Sequence, residues 1–244
     1  MTSIPNKTRV SSGGILCIIP ARGNSKRLPA KNIKNLGKKP LIAWSIDFAV
    51  DSEIFDCVLV STDNSRIAEV AIGCGATVPW LRPDHLATDE ATTISVVKHA
   101  LAWYVKEHGK PSAIVVLQPT TPLRSMSALR DMLAIYNETN DKVKSVVSMG
   151  SIDYHPGWTF YESGDSWKPC MDWSWFAARS QELPRVATLD GSIYILSPDL
   201  VETEHSMVGE WTIPYLNSSE VFFDIDTLAD FEAAERFIIL NDHN

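Results

Sequence analysis

Short, continuous apolar runs recur along this chain, and between them lie stretches of helical spacing. Ile15 to Ile19, Cys57 to Val60, Ala113 to Leu117 and Val143 to Met149 read as strands. Helical spacing follows at Leu41 to Ala49, on the face Ile94, Val97, Leu101, Tyr104 and Val105, and at Leu129, Met132, Leu133 and Tyr136. A strand buried on both faces is apolar throughout, whereas a half-exposed one alternates. The pattern predicts an α/β fold, a mostly parallel sheet with helices on both faces. Asn64 is expected to cap one helix, which Gly73 or Gly75 ends, and Asp89 to cap the long one before Gly109.

In such a sheet, ligands sit where strands end. Three of these runs stop at polar stretches: Pro20 onward, Ser61-Thr62-Asp63, and Gln118-Pro119-Thr120-Thr121-Pro122-Leu123-Arg124. The first is the most unusual. Between Arg22 and Lys39 there are seven Lys or Arg and no Asp or Glu, in a chain of net charge −8. A lysine cluster taken alone is a solvated loop. One that begins where a core strand ends suits a polyanion, because small residues admit backbone N–H groups and the cations neutralise phosphate oxygens. The stretch carries neither G-x-x-x-x-G-K-[ST] nor G-x-G-x-x-G, which excludes a Walker loop and a dinucleotide fingerprint.

An acidic pI near 5.2 argues against nucleic-acid polymers and anionic membranes as partners. Cys17, Cys57, Cys74 and Cys170 have no zinc spacing, and the first two lie in apolar runs, as buried thiols do in a reducing interior. Residues 1–13 read as a loose polar tail, and the run after them is too short for a membrane span. The expectation is a cytoplasmic protein with one domain over 14–244.

After residue 150 the pattern breaks. Trp158, Trp167, Trp173 and Trp175 fall among Gly and Pro without helical period. Such a stretch is either a loop folded on its own aromatics or a β excursion forming a subunit interface or a ligand wall. The interface is favoured, so about 152–190 is expected to be a Trp-rich β excursion that mediates dimerisation. Regularity returns with strands at Gly191 to Leu196 and Val221 to Asp226. Thr227 and Asp230 then form a capping box for a last helix that packs through Phe231, Ala234 and Ile238. On the second strand Asp224 and Asp226 share one face while Ile225 faces the core. Two adjacent carboxylates call for a cation, and Mg²⁺ accepts one or two of them, completing its shell with water and phosphate.

Ile19 to Asn32, Ser61-Thr62-Asp63, Leu81-Arg82-Pro83 with Leu86 to Asp89, Leu117 to Arg124, Arg179 with Gln181, Gly191 to Ile195 and Phe223 to Thr227 occur in this order. By these motifs the chain resembles the CMP-sialic acid synthetases, the acylneuraminate cytidylyltransferases. The resemblance implies a sheet of the nucleotide-diphospho-sugar transferase type, a dimer, and a Mg²⁺-dependent reaction of CTP with a nonulosonic acid to give CMP-sugar and pyrophosphate. It places Arg22, Ser25, Lys26 and Lys31 on the triphosphate, with Ala21, Gly23 and Asn24 beside them. Asn32, Arg82 and Thr88 lie near the cytidine. Gln118, Thr120, Arg179, Gln181 and Tyr194 line the sugar pocket, and Asp224 and Asp226 hold the metal. Arg22, Lys31, Asp224 and Asp226 are the catalytic candidates, and Asp226 or a hydroxide on the metal serves as base.

Two positions depart from the family pattern. Asp190 replaces a common Asn and becomes a substrate-side candidate for an amino or hydroxyl group. His155-Pro156 is followed by Gly157-Trp158 where a basic residue is common, which leaves more of the sugar carboxylate to Arg179. The absence of G-D-E-P at Gln118 argues against Kdo. The alternatives are the same fold acting on a Kdo-like acid, a sugar 1-phosphate or another nucleotide, and an inactive nucleotide-binding assembly protein.

Overall fold

The computed structural model describes residues 13–140, 142–152, 154–217 and 222–241. The expected tail of residues 1–13 lies outside them but for Gly13. In chain order, β1 (Ile15–Pro20) leads through the basic loop to the small ribbon β2 (Asn35–Leu36) and β3 (Lys39–Pro40), then α1 (Leu41–Asp51). Next come β4 (Cys57–Ser61), α2 (Ser65–Gly73), α3 (Thr93–His108), β5 (Ala113–Val116), α4 (Met126–Glu138) and β6 (Ser145–Ser151). The excursion holds the hairpin β7 (Phe160–Ser163) and β8 (Ser166–Pro169). The chain closes with β9 (Ala187–Leu196), α5 (Pro198–Thr203), β10 (Thr212–Leu216) and α6 (Leu228–Asn241).

The main sheet runs β10-β6-β9-β5-β1-β4. β1 is parallel to β4 and β5, and β10 to β6, while β9 is antiparallel to both neighbours. β9 is therefore the one reversed strand of this sheet, and the C-terminal ends of the other five share an edge. Alternate residues of each central strand feed opposite cores. Cys17 and Ile19 pack with α1, α2 and α4 residues such as Ile42, Ile67 and Leu129. Leu16 and Ile18 pack with α3 and α5 residues such as Val97, Leu101 and Leu200. Both faces being covered is the reason these runs are apolar throughout. A third cluster joins Leu28 of the basic loop to Leu36, Leu41, Ile225, Phe231, Ala234 and Ile238.

Several details differ from the sequence reading. The long helix begins four residues after Asp89, and Thr92 caps it by accepting from the Ser95 N–H. Val105 is exposed, because the buried stripe already ends on Tyr104 and Val105 lies a hundred degrees round the helix. Val221 is outside the described residues, and Phe222 to Asp226 is irregular rather than a strand. Among the described residues its backbone is tied to the β5 loop by Ile225 N–H donating to Thr120 O at 2.8 Å. The β content of the excursion is one hairpin among short 3-10 turns, and β9 starts at Ala187 rather than Gly191. β10 and α5 had no signal strong enough to read. No helix among the described residues is long and apolar enough to cross a membrane.

Candidate active site

Beyond Pro20 the chain stays tied to the sheet edge. Ala21 N–H donates to Ser61 O at 2.9 Å, and Gly23 N–H donates to the Asp63 carboxylate at 2.8 Å. A Cβ on Gly23 would meet the Asn64 side chain at 2.8 Å, so this close approach requires glycine. Asn32 then clamps the loop by donating to Arg22 O at 2.9 Å. Arg82, itself buried, donates to the Ser61 hydroxyl and carbonyl and fixes the end of β4. Burial lowers its guanidinium to about 10, with Asp63 opposing and Arg22 adding to the shift, so it stays charged at neutral pH.

The far end of the chain meets this loop. Lys31 Nζ, almost wholly covered, donates to Ile225 O at 2.6 Å and to Asp226 Oδ1 at 3.0 Å. Arg27 donates to the other oxygen, Asp226 Oδ2, at 2.7 Å. Arg22 reaches Asp89 Oδ1 at 2.7 Å and Lys26 takes Asp89 Oδ2. Four loop cations are thus paired two and two with carboxylates that line the same cleft. The Asp224 carboxyl is raised, first by partial loss of water and then by Asp226, with Thr120 and Lys31 opposing. An acid held above its ordinary value beside a second carboxylate is short of positive charge. Among the described residues no third Asp, Glu, His or Cys joins the pair. That donor set fits an ion taking one or two carboxylates and otherwise water and phosphate.

Behind Gln118 and Thr120 lies Arg124, half-buried at the foot of the loop. It donates to Ser192 O and the Ser45 hydroxyl, both at 2.9 Å, and to Gln118 O. Burial lowers its guanidinium to about 10, which leaves it a fixed cation. Thr121 adds a bond to Gly191 O at 2.9 Å, so the β5 loop and β9 are held as one wall.

The cleft so framed has a volume of about 500 Å³. Of the residues singled out in the sequence, Arg22, Ser25, Lys26, Lys31, Asn32, Arg82, Thr88, Gln118, Thr120 and Asp226 line it. Ala21 and Gly23 lie just behind, and Asn24 is exposed on the loop. Asp224 is not among the lining residues, although Thr120 and Asp226, which are, both act on its carboxyl. Tyr194 is buried near Asp190 and Asp224, and burial first, then those two charges, pushes its phenol up to about 12. Asp190 is buried too, accepting from Ser192 N–H, the Ser148 hydroxyl and Asn217. Its partners are side chains and backbone of its own sheet. Arg179 and Gln181 stand exposed on the excursion, outside this cleft. The sequence reading missed Arg27, Asp89 and Arg124 as parts of the site. Arg27 sat in the basic island, and Asp89 had been read as a cap.

The cytidylyltransferase family model matches residues 16–153. The chain belongs to the cytidylyltransferase family. Over 230 residues it is 38% identical to the CMP-N,N'-diacetyllegionaminic acid synthase of Legionella pneumophila, covering 93% of this chain and 97% of that one. The pseudaminic acid cytidylyltransferase of Campylobacter jejuni is 31% identical over 226 residues, 90% of this chain and 94% of that protein. Among solved structures, CMP:2-keto-3-deoxy-manno-octonic acid synthetase complexed with CTP superposes with a TM-score of 0.68 at 15% identity. It covers 93% of this cytidylyltransferase and 99% of that chain. The fold is that of the nucleotide-diphospho-sugar transferases.

Proposed function

We propose that this cytidylyltransferase joins CTP to a nonulosonic acid of the legionaminic, pseudaminic or sialic class, releasing pyrophosphate. The observation that carries this reading is the bridge from Lys31 to Ile225 and Asp226, which sets the basic loop and the acidic segment on one cleft. The relatives' names supply the nucleotide and the sugar acid. Arg22, Ser25, Lys26 and Lys31 would bind the triphosphate. Asn32, Arg82 and Thr88 would border the cytidine, and Gln118, Thr120 and Tyr194 the sugar.

In the reaction the anomeric hydroxyl oxygen attacks the α-phosphorus in line. The bond to the bridging oxygen breaks, pyrophosphate leaves with the electron pair, and the hydroxyl proton passes to a base. Positioning and charge neutralisation carry such a transfer. Both oxygens of Asp226 are engaged by cations. Asp224 and Asp226 would hold Mg²⁺, which when bound supplies further positive charge to the phosphates.

The excursion supports a dimer. Trp167 is 67% exposed and Trp173 64%, with Phe160 and Tyr161 also open, an apolar face suited to a second copy. Arg179 and Gln181 on the same excursion would then serve the partner's cleft. The setting proposed is the cytoplasm.

The test is pyrophosphate release, screened with four nucleoside triphosphates against nine-carbon acids, Kdo and sugar 1-phosphates. Release with CTP and a nonulosonic acid is the expected result. Release only with a sugar 1-phosphate, or with another nucleotide, would replace this reading.

A further inference from the structure

Asp89 stands four residues before the helix it was expected to cap, and it takes no part in that cap. Its two carboxylate oxygens instead draw Arg22 and Lys26 to one point on the wall of the cleft. These cations hold its carboxyl below the ordinary value, so it is ionised throughout the neutral range. The three side chains are all partly open to water, at 39%, 70% and 47%. Exposed pairs of this kind contribute little to folding. A weak, open, doubly paired carboxylate on the wall of an anion cleft has the charge and the two-oxygen shape of a phosphate edge.

We infer that Asp89 is an internal counter-anion of the basic loop, competing with the triphosphate and with pyrophosphate for Arg22 and Lys26. The inference rests on the nucleotide reading of the cleft and goes one step past it. Before substrate arrives, Asp89 keeps the two cations converged and spares them mutual repulsion. The triphosphate, with more charge and more oxygens, displaces it. Once the α–β bond has broken, Asp89 re-forms its pairs and helps to expel pyrophosphate. Asp89 touches the substrate-binding cations rather than the reacting atoms, and is a positioning residue that sets anion affinity.

The experiment titrates inorganic pyrophosphate and, separately, CTP into wild type, Asp89→Asn, Asp89→Ala and Arg22→Ala by calorimetry. Asp89→Asn and Asp89→Ala should bind pyrophosphate about fivefold more tightly, the worth of one good exposed ion pair. In turnover, KM for CTP should fall and pyrophosphate should become the stronger product inhibitor. If Asp89 only props Arg22 in place, both variants bind more weakly, and that result overturns the inference, as does unchanged affinity. Arg22→Ala separates the two levels of argument. Weaker binding there with no tightening in the Asp89 variants sinks this inference alone. Wild-type binding in Arg22→Ala sinks the nucleotide reading of the loop together with it. Asp89 is exposed and its Asn replacement is isosteric, and an unchanged melting temperature confirms that folding is not at issue.

Discussion

The loop after Pro20 and the excursion after β6 are both irregular, yet they are held in place by different means. The loop is fastened inward. Its backbone is bonded to Ser61, Asp63 and Asn32, its Lys31 to Ile225, and Leu28 beneath it packs on Phe231 and Ile238. The excursion is fastened mostly to itself. His155 stacks on Trp175, Trp158 donates to Trp175 O, and Phe160, Trp173 and Phe176 form one ring cluster with a bare outer face. Polar residues borne on a core-anchored loop can be placed to within the tolerance chemistry requires. A self-packed segment with exposed aromatics is positioned instead by whatever covers it. The two regions should therefore respond differently to substitution.

The largest effect is expected at the anchored loop. Lys31→Met should lower kcat/KM by about a hundred- to thousandfold, the usual cost of one preorganised electrostatic contact. Steady-state kinetics at a temperature where the variant remains folded would show this, and near-normal turnover would break the contrast. Arg179→Ala should leave CTP affinity alone while raising KM for the sugar acid about ten- to hundredfold, since a charged hydrogen bond is lost. Mixing it with Lys31→Met and allowing exchange should restore activity if each excursion serves its partner's cleft. No recovery would place Arg179 in its own subunit's work or in none. Replacing Trp167 and Trp173 together by Ser should shift light scattering toward a monomer with little loss of secondary structure. A persistent dimer would move the interface elsewhere.

The smallest effect lies at the start of α6, where Asp230 accepts from the Asp226 and Thr227 N–H groups and the Thr227 hydroxyl. Burial pushes its carboxyl upward, but those bonds and Arg27 win and hold it below the ordinary value. The native state therefore binds fewer protons than the unfolded one in the carboxylate range. Its contribution is complete above the unfolded value and lost as pH falls through the lower folded one. Asp230→Ala should cost about 1 kcal/mol at neutral pH. The gap from wild type should close in acid, as read by urea unfolding; a gap independent of pH would assign the effect to helix propensity.

Much of this was legible before any coordinates. Continuous apolar runs between helical periods require a sheet covered on both faces, and Cys17 and Ile19 facing one core while Leu16 and Ile18 face the other is that requirement met. The capping box at Thr227 and the cap at Asn64 follow from side chains that satisfy N–H groups two and three residues on. Asp89 misled because a carboxylate before a helix looks the same whether it caps that helix or pairs with cations in a cleft. Phe222 to Asp226 misled because an irregular segment that buries Ile225 and leaves Asp224 open carries the same alternation as a strand without its ladder.

The sequence by itself determined the layering, the edge at which the loops gather, and the residue types able to bind a polyanion, since each follows from local periodicity and charge. Tertiary structure decided the pairings. That Lys31 and Arg27 meet Asp226 depends on Leu28 and Ile225 burying together against α6. A contact between residues almost two hundred positions apart is set by non-directional apolar burial, which leaves no periodic mark on the chain.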